Sequence, residues 1–220
     1  MAFVLVLAFD TATPAVTAAL HDGERVLAES TTVDARRHGE LLAPAVQEVL
    51  RACGAALDEV TAVVAGSGPG PYTGLRVGLV TAQALATALG VPAYGVCTLD
   101  AVAYGSGLSE PFVVATDARR KEVFWARYAD SRTRLSGPAV DLPGELPAGL
   151  PLVGAGARLY AGILGEERIV AGAPEYPSAG ALAALAAERL AAGAELPAPL
   201  PIYLRRPDAR VPGAPKRVTA

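Results

Sequence analysis

The chain has 220 residues, of which 52% are hydrophobic and 19% are charged, and its formal net charge is −3. This composition predicts a soluble protein with a sizeable core, built as one large domain or two small ones, and it excludes a disordered chain. The slight negative charge gives no overall positive field that would attract nucleic acid or an anionic membrane. Cys53 and Cys97 lie in separate apolar segments without a CxxC motif, so we expect neither a disulfide framework nor a zinc site.

Three strands are predicted at the start of the chain. An apolar run over 4–9 ends at Asp10, a second apolar run covers 15–20, and a mixed segment covers 25–32. The short polar turns between them predict an antiparallel arrangement. The first run is short and has no basic residues before it, so it is expected to be a buried strand and not a signal peptide, and no later run approaches membrane-spanning length.

Two amphipathic helices are predicted after these strands. In the first, over 37–53, apolar residues recur every three to four positions, and Pro44 either kinks the helix or marks its start. The second covers 75–89, with Thr73 as its N-cap. Small residues spaced by four along this helix predict a close approach to another helix. These residues are Gly74, Gly78 and Ala82.

Between the two helices, a predicted strand over 58–65 leads into the glycine-rich segment GSGPGPYTGLRVG, residues 66–78. Gly66, Gly68 and Gly70 permit positive φ or the close approach of another group. The segment has no lysine, which a P-loop needs, and no third glycine in the dinucleotide-binding position. Its spacing leaves two alternatives, a structural strand-to-helix turn or a site for phosphate or carboxylate.

The second half of the chain is predicted to be a further α/β unit. A strand over 94–97 and a short helix over 98–104, capped by Thr98, come before it, and it begins at Pro111. Its predicted parts are strands over 112–116 and 122–128, an exposed turn-rich excursion over 132–151, a brief strand over 152–154, helices over 156–164 and 178–192, and a proline-rich tail over 196–220 that is extended or disordered in part. Ser178 is the expected cap of the last helix.

Three features of the sequence could carry chemistry, and each has a structural alternative. Asp10 with Thr11 could hold magnesium and phosphate, or could satisfy the N–H groups of its own turn. His21 and His38 lack the spacing of a zinc hydrolase or a catalytic triad, so we expect ordinary histidines and no catalytic residue. The basic tip of the 112–128 hairpin could touch RNA, although a solvated tip is the more common case. Its residues are Arg119, Arg120 and Lys121.

Several segments together resemble the TsaB (YeaZ) family. They are LAFDTAT over 7–13, His38 ahead of Leu41 and Leu42, the glycine-rich segment 66–78, DAR over 117–119 with EVFW over 122–125, and PIYLR over 201–205. The resemblance runs from the first strand nearly to the tail. Pro71 departs from the serine that is usual in the central motif, and this removes a hydroxyl donor.

The resemblance implies an α/β fold of the actin-like, sugar-kinase-like (ASKHA) class, with two lobes that each have a mixed sheet and helices. The expected lobes are residues 1–98, which carry the dimerisation helices, and residues 99–220, which carry the tail. It also implies a cytoplasmic role in making threonylcarbamoyladenosine next to the anticodon of tRNA. In that role a TsaB protein is a non-catalytic scaffold that binds and activates TsaD, the subunit that transfers the threonylcarbamoyl group.

The resemblance further implies the partners and the contact residues. The ATPase TsaE joins the assembly, another enzyme makes the threonylcarbamoyl-adenylate, and tRNA is reached only through the complex. The two helices of the first lobe would form a homodimer or dock TsaD, without a metal or a cofactor of their own beyond weak ATP or ADP binding at the complex. The corresponding residues are Leu41, Leu42, Ala45, Val46, Val49, Leu75, Arg76, Leu79, Ala82 and Gln83.

A second functional hypothesis is a stand-alone nucleotide-binding ATPase or kinase of the ASKHA type. It would use a degenerate nucleotide loop built from Asp10, Thr11, Gly66, Gly68, Gly70 and Thr73. The two hypotheses differ in what they require of the first lobe: a surface for a partner protein or a site for magnesium and phosphate.

Overall fold

A computed structural model describes residues 4–205 of the chain. The first lobe is a five-stranded mixed sheet in the order β3-β2-β1-β4-β5. Strands β1, β2 and β3 are antiparallel, and β1, β4 and β5 are parallel. The strands are β1 Val6–Asp10, β2 Ala15–His21, β3 Val26–Val33, β4 Ala62–Gly66 and β5 Ala93–Val96.

Helices cover both faces of this sheet. The odd residues of β1, such as Leu7 and Phe9, pack with α1 and α2, and the even residues, such as Val6 and Ala8, pack with α3 and α6. A strand that is buried on both faces has a continuous apolar sequence, which is what the first run of the chain shows. The helices are α1 His38–Cys53, α2 Tyr72–Leu89, α3 Thr98–Ser106 and α6 Ala179–Ala191.

The second lobe is a four-stranded sheet in the order β8-β7-β6-β9, covered on its outer face by α4 and α5. Phe112, Val114 and Tyr128 on its inner face pack against α3, which therefore lies between the two sheets. The elements are β6 Phe112–Asp117, β7 Val123–Tyr128, β8 Arg134–Asp141, β9 Leu152–Val153, α4 Ala155–Leu159 and α5 Ala161–Leu164.

The two lobes are not two consecutive halves of the sequence. Helix α3 packs against both sheets, and α6 packs against the first sheet although it comes from residues 179–191. The predicted boundary between 98 and 99 stays a prediction, and α6 has to be counted with the first lobe. The predicted tail falls partly outside the described residues, and its described part, 196–205, has no helix or strand.

Several predicted elements need correction. The segment 132–151 is not only an exposed excursion, because it contains β8, which pairs with β7 along an exposed edge. The predicted helix over 156–164 is two short helices separated at Tyr160. Pro44 lies inside α1, which begins six residues earlier, so Pro44 does not mark the start of the helix. Ser178 caps α6 as predicted, since its hydroxyl accepts a hydrogen bond from the N–H of Ala181.

Candidate functional site

Asp10 ends β1 and is almost completely buried. One carboxylate oxygen accepts the N–H of Ala12 at 2.7 Å, and the other accepts the hydroxyl of Thr98 at 2.6 Å. Burial raises the pKa of this carboxyl above its usual 3.8, and these two hydrogen bonds oppose the shift. Both oxygens are therefore engaged by the protein itself, in agreement with the structural alternative for Asp10.

The glycine-rich loop packs against the turn that follows Asp10. A Cβ atom on Gly66 would overlap the Asp10 carboxylate, and a Cβ atom on Gly70 would overlap the carbonyl of Ala12. Gly68 has a φ of +83° and donates its N–H to the Thr98 hydroxyl at 3.0 Å. These glycines permit a close approach within the chain, as a structural strand-to-helix turn requires.

Thr11 fixes this turn to helix α2. Its hydroxyl donates to the carbonyl of Gly74 at 2.7 Å and accepts the N–H of Gly78 at 2.9 Å. A Cβ atom at Gly74 or Gly78 would lie 2.6 or 2.7 Å from an oxygen of Thr11, so these small residues let α2 approach the turn after β1. The Cβ atom at Gly74 would also lie 3.3 Å from Nε2 of His38 at the start of α1, so this position allows the predicted approach to another helix as well. Thr73 is not the N-cap, because α2 begins at Tyr72 and Pro71 occupies the cap position.

Seven of the ten predicted interface residues are buried in the core of the first lobe. They lie on the inner faces of α1 and α2 against the sheet, and their exposed fractions are 7% or less. These residues are Leu42, Ala45, Val46, Val49, Leu75, Leu79 and Ala82. Their side chains are not available to a partner in the folded chain. Leu41 is half-buried, and Arg76 and Gln83 are exposed on the outer face of α2.

On the outer face of α2, Tyr72 and Val80 join the predicted interface residue Arg76. Tyr72 stacks on Tyr203 with ring centroids 5.4 Å apart, and the Arg76 guanidinium lies 3.9 Å from the centroid of the Tyr72 ring. Arg76 also donates from Nε to the Tyr203 hydroxyl at 3.2 Å. Val80, one turn further along, is 62% exposed. The i, i+4 spacing of positions 72, 76 and 80 could have indicated this face.

Each histidine makes a hydrogen bond to the backbone of the first lobe. His21 is buried, its Nδ1 accepts the N–H of Gly23, and burial lowers its pKa. His38 donates from Nε2 to the carbonyl of Thr13 at 2.7 Å. Within residues 4–205, the structure has no cluster of three or more His, Cys, Asp or Glu side chains that could hold a metal ion. Cys53 and Cys97 are free thiols, as the sequence predicted, and burial raises the pKa of Cys97 to about 12.

The basic hairpin tip joins β6 to β7. Arg119, Arg120 and Lys121 all have φ near +60°, which places three consecutive side-chain-bearing residues in the left-handed region. The guanidinium of Arg119 lies 3.4 Å from the carboxylate of Asp117. The two alternatives for this tip, contact with RNA or a solvated turn, both stay open.

The two mixed sheets with helices on both sides place this chain in the two-lobed, actin-like and sugar-kinase-like (ASKHA) class of α/β proteins. A family model described as "TsaD: tRNA N6-adenosine threonylcarbamoyltransferase" matches residues 25–160. YeaZ from Pseudomonas aeruginosa superimposes with a TM-score of 0.77 at 31% identity, covering 91% of this chain and 100% of that one.

Proteins with similar sequences indicate the family within this fold class. An uncharacterized protein of Mycobacterium tuberculosis is 48% identical over 210 residues, covering 93% of each chain. The "tRNA threonylcarbamoyladenosine biosynthesis protein TsaB" of Escherichia coli is 38% identical over 126 residues, which is 56% of this chain and 54% of that protein. The chain belongs to the TsaB (YeaZ) family, as its motifs predicted. No helix within residues 4–205 has the length and apolar character needed to cross a membrane.

Proposed function

We propose that this chain is a non-catalytic scaffold and dimerisation subunit in the synthesis of threonylcarbamoyladenosine in tRNA, where it binds and activates a TsaD partner. The observation that carries the proposal is the outer face of α2, where Tyr72 is 48% and Val80 is 62% exposed. Tyrosine and arginine are, with tryptophan, enriched at the energetic centres of interfaces, and here Tyr72, Arg76 and Tyr203 form one exposed cluster.

The environment of Asp10 supports a scaffold more than a stand-alone ATPase or kinase. An aspartate that positions magnesium and phosphate needs a carboxylate oxygen free to face the ligand. Both oxygens of Asp10 accept hydrogen bonds from the protein, and the loop containing Gly66 and Gly70 is filled by the turn after β1. We therefore assign the degenerate nucleotide loop a structural role.

The match to the TsaD family model supports a surface that serves two partners. The matched residues, 25–160, include both α1 and α2, so a TsaD protein is expected to carry related helices. A surface that pairs with a second copy of itself can also pair with a related surface. We accordingly propose that this chain is a homodimer when alone and exchanges its second copy for TsaD.

The experiment is co-purification of the chain with the TsaD protein of the same organism after Val80→Glu. The exposed position of Val80 allows the variant to fold, and the new charge would be buried without a partner at the interface. We expect a loss of affinity of at least about tenfold. Leu79→Glu would not test the interface, because Leu79 is 4% exposed and its substitution would disturb the core.

Ile163→Glu is the matched control. Ile163 is 65% exposed on α5 in the second lobe, so the same substitution there changes surface charge without touching α1 or α2. This variant should bind TsaD as the unmodified chain does. Equal binding by both variants, or equal loss in both, would contradict the assignment of the interface to α2.

The remaining roles are proposals of the same kind. We propose that the chain acts in the cytoplasm, that it meets TsaE and tRNA only within the assembly, and that ATP or ADP binding at the complex is weak and does not use the glycine-rich loop. Size-exclusion chromatography with light scattering tests the homodimer: the chain alone should elute as a dimer and Val80→Glu should shift it towards the monomer.

A further inference from the structure

The tip of the hairpin between β6 and β7 combines an unfavourable backbone with three cations. Arg119, Arg120 and Lys121 are the only residues other than glycine with a positive φ among residues 4–205. Glycine and asparagine adopt this conformation most easily, yet each of the three positions carries a long basic side chain. Strained backbone of this kind is concentrated at functional sites. The tip is therefore a candidate for a function that needs its positive charge.

Arg205 holds the tip from the side of the protein. Its guanidinium donates to the carbonyl of Ala118 at 2.8 Å, forms an ion pair with Glu122 and lies 5.9 Å from the centroid of the Phe124 ring. The side chains of this ion pair are only 28% and 33% exposed. The backbone that carries the three cations is therefore held in place before any ligand binds, and a preorganised surface loses less entropy on binding.

The carboxylates next to the tip already have partners. Glu122 forms the ion pair just described, and Asp117 accepts the backbone N–H of Arg119 at 2.8 Å and lies 3.4 Å from its guanidinium. Asp141 on the neighbouring strand β8 accepts the indole N–H of Trp125 at 2.8 Å. These contacts use negative charge that would otherwise repel an anion at the tip.

Positive charge continues from the tip towards the first lobe. Lys121 is exposed and makes no ion pair within residues 4–205. Arg36 lines the same cavity as Arg119, and within the same described range it makes no ion pair either. The formal net charge of the chain is −3, so this group of cations is a local feature. Several neighbouring cations suit a polyanion such as a phosphodiester backbone.

The tip borders the surface that is proposed for TsaD. Arg119 lines the same cavity as Thr73 in the first turn of α2. Tyr203 stacks on Tyr72 of the outer face of α2, and Arg205, two residues later, holds the tip. Because two residues span at most about 7 Å of backbone, the tip lies at the rim of that face.

We propose that the hairpin tip contacts the phosphodiester backbone of tRNA while the chain is bound to TsaD. The contact is made by Arg119, Arg120 and Lys121, with Arg36 beside them. Contacts to phosphate position an RNA without reading its sequence. The proposal rests on the proposed function, because TsaD brings the RNA to the tip. It makes this chain part of the RNA-binding surface in addition to a scaffold.

The experiment measures the affinity of the complex with TsaD for an unmodified tRNA transcript, by fluorescence anisotropy at salt concentrations from about 50 to 200 mM. Lys121→Asn and Arg119→Gln should each weaken binding by about fivefold at about 0.15 M salt, because each loses one phosphate contact. Each should also reduce the slope of log affinity against log salt by about 1. Lys121→Arg keeps the cation and should bind tRNA as the unmodified complex does.

Lys121→Asn separates loss of charge from loss of structure. The φ of Lys121 is +63°, and asparagine tolerates this conformation better than lysine does. The variant should therefore be at least as stable as the unmodified chain, and weaker binding by it cannot be the result of unfolding. Thermal unfolding of the same preparation checks this.

Arg25→Gln is the matched control. The side chain of Arg25 is 80% exposed in the turn between β2 and β3, outside the hairpin and outside α2. This variant should leave both the affinity and the salt slope unchanged. The proposal is wrong if the tip variants also leave both unchanged, or if Arg25→Gln lowers both as much. It is equally wrong if the tip variants lose TsaD while the complex that still forms binds tRNA normally, since the tip would then belong to the protein interface.

The contact with RNA and the scaffold function fail separately. If the unmodified chain forms no complex with TsaD, the scaffold function is wrong. The tip is then tested by titrating the chain alone with the same tRNA at about 50 mM salt, where the attraction between cations and phosphate is stronger. Equal binding by the unmodified chain and by Lys121→Asn would overturn the contact with RNA.

Discussion

Gly66 shows why the sequence motif needs a glycine at the end of β4. Its missing side chain lets the carboxylate of Asp10 lie directly against the end of β4, where Thr98 and Ala12 complete its hydrogen bonds. A phosphate loop uses glycine to admit a ligand, whereas this loop uses glycine to admit the protein's own aspartate. In this protein the glycine-rich pattern therefore allows Asp10 to pack against the loop.

Gly66→Ala should destabilise the protein by at least about 2 kcal/mol, because the new methyl group overlaps a buried carboxylate that has no room to move. Gly39→Ala is the matched control. Gly39 lies in the exposed first turn of α1, and a Cβ atom added there would meet no other atom within 4 Å, so alanine should stabilise by about 0.5 kcal/mol. Urea unfolding measures both, and similar free energies for the two variants would contradict the packing role of Gly66.

Asp10 should also give the protein a specific pH dependence. The folded-state pKa of Asp10 lies above its usual 3.8, so the folded state binds this proton more tightly than the unfolded state does. The contribution of the bound proton to the free energy of unfolding is therefore lost as the pH rises through the folded-state pKa. Asp10→Asn has no such titration. The unfolding free energy of the unmodified chain minus that of Asp10→Asn should fall from pH 4 upward, by at most about 1.4 kcal/mol per pH unit. If this difference in unfolding free energy rises with pH, the raised pKa of Asp10 is contradicted.

Other carboxyl groups do not obscure this comparison. Hydrogen bonds from the backbone lower the pKa values of Asp22, Asp34 and Asp130, so these groups make the protein more stable as pH rises. Their effect is present in both proteins and cancels in the difference. Urea unfolding of both proteins at each pH provides the measurement.

At the residue scale, the sequence indicated that residues such as Thr98 are important but did not predict which residues they contact. Thr98 was expected to cap α3, but it is the first residue of the helix and its hydroxyl donates to Asp10, 88 positions away. Capping is a local property that spacing can predict, whereas a hydrogen bond between distant segments depends on how the strands pair. A cavity lined by Arg36 of the first lobe and Arg119 of the second was missed for the same reason, because its lining residues are far apart in the sequence.

At the scale of elements, hydrophobic periodicity located α1, α2, α3 and α6 and the strands of the first sheet. The strand predicted over 58–65 begins only at Ala62, because residues 57–59 form a short 3-10 helix. It could not say which neighbour the apolar face meets, so the inner residues of α1 and α2 were assigned to a partner although they pack on the protein's own sheet. Periodicity also missed β8, because its Gly137 and Pro138 indicate a turn and its first four residues are exposed. An exposed edge strand has little of the alternation between apolar and polar residues that identifies a strand in a sequence.

The hairpin between β6 and β7 holds the most strained backbone among the described elements. Arg119, Arg120 and Lys121 each have a φ of about +60°, which is costly for residues with a Cβ atom. Lys121→Asn should stabilise the protein by about 0.5 to 1 kcal/mol, because asparagine tolerates this conformation better. Thermal unfolding measures the change.

A second substitution separates backbone strain from loss of charge at the hairpin. Arg127 lies on β7 and is exposed, so Arg127→Asn also replaces a cation but at an extended position, where asparagine is unfavourable. This variant should be neutral or less stable. Equal stabilisation by both substitutions would show that reduced positive charge, and not the relief of strain, is the cause.

At the scale of the whole molecule, Asp100 on α3 connects the two lobes. It is buried, and its carboxylate accepts hydrogen bonds from Tyr128 at 2.9 Å and from Arg134 at 3.1 Å in the second lobe, and from Arg189 of α6 at 3.1 Å. Since α6 packs on the first sheet, this single carboxylate links β7, β8 and α6 through α3. The charge also pairs with two arginines whose side chains are 32% exposed.

Asp100→Asn should therefore destabilise the protein far more than removal of the neighbouring exposed pair. The substitution keeps the shape of the side chain but leaves two half-buried guanidinium groups without a carboxylate, at a cost of about 2 kcal/mol. Glu188→Gln breaks the pair between α6 and Arg132 in the β7–β8 turn, whose side chains are 44% and 57% exposed, and should cost less than about 1 kcal/mol. Urea unfolding compares them. Equal losses would mean that Asp100 acts as an ordinary surface charge and that apolar packing of α3 alone holds the lobes together.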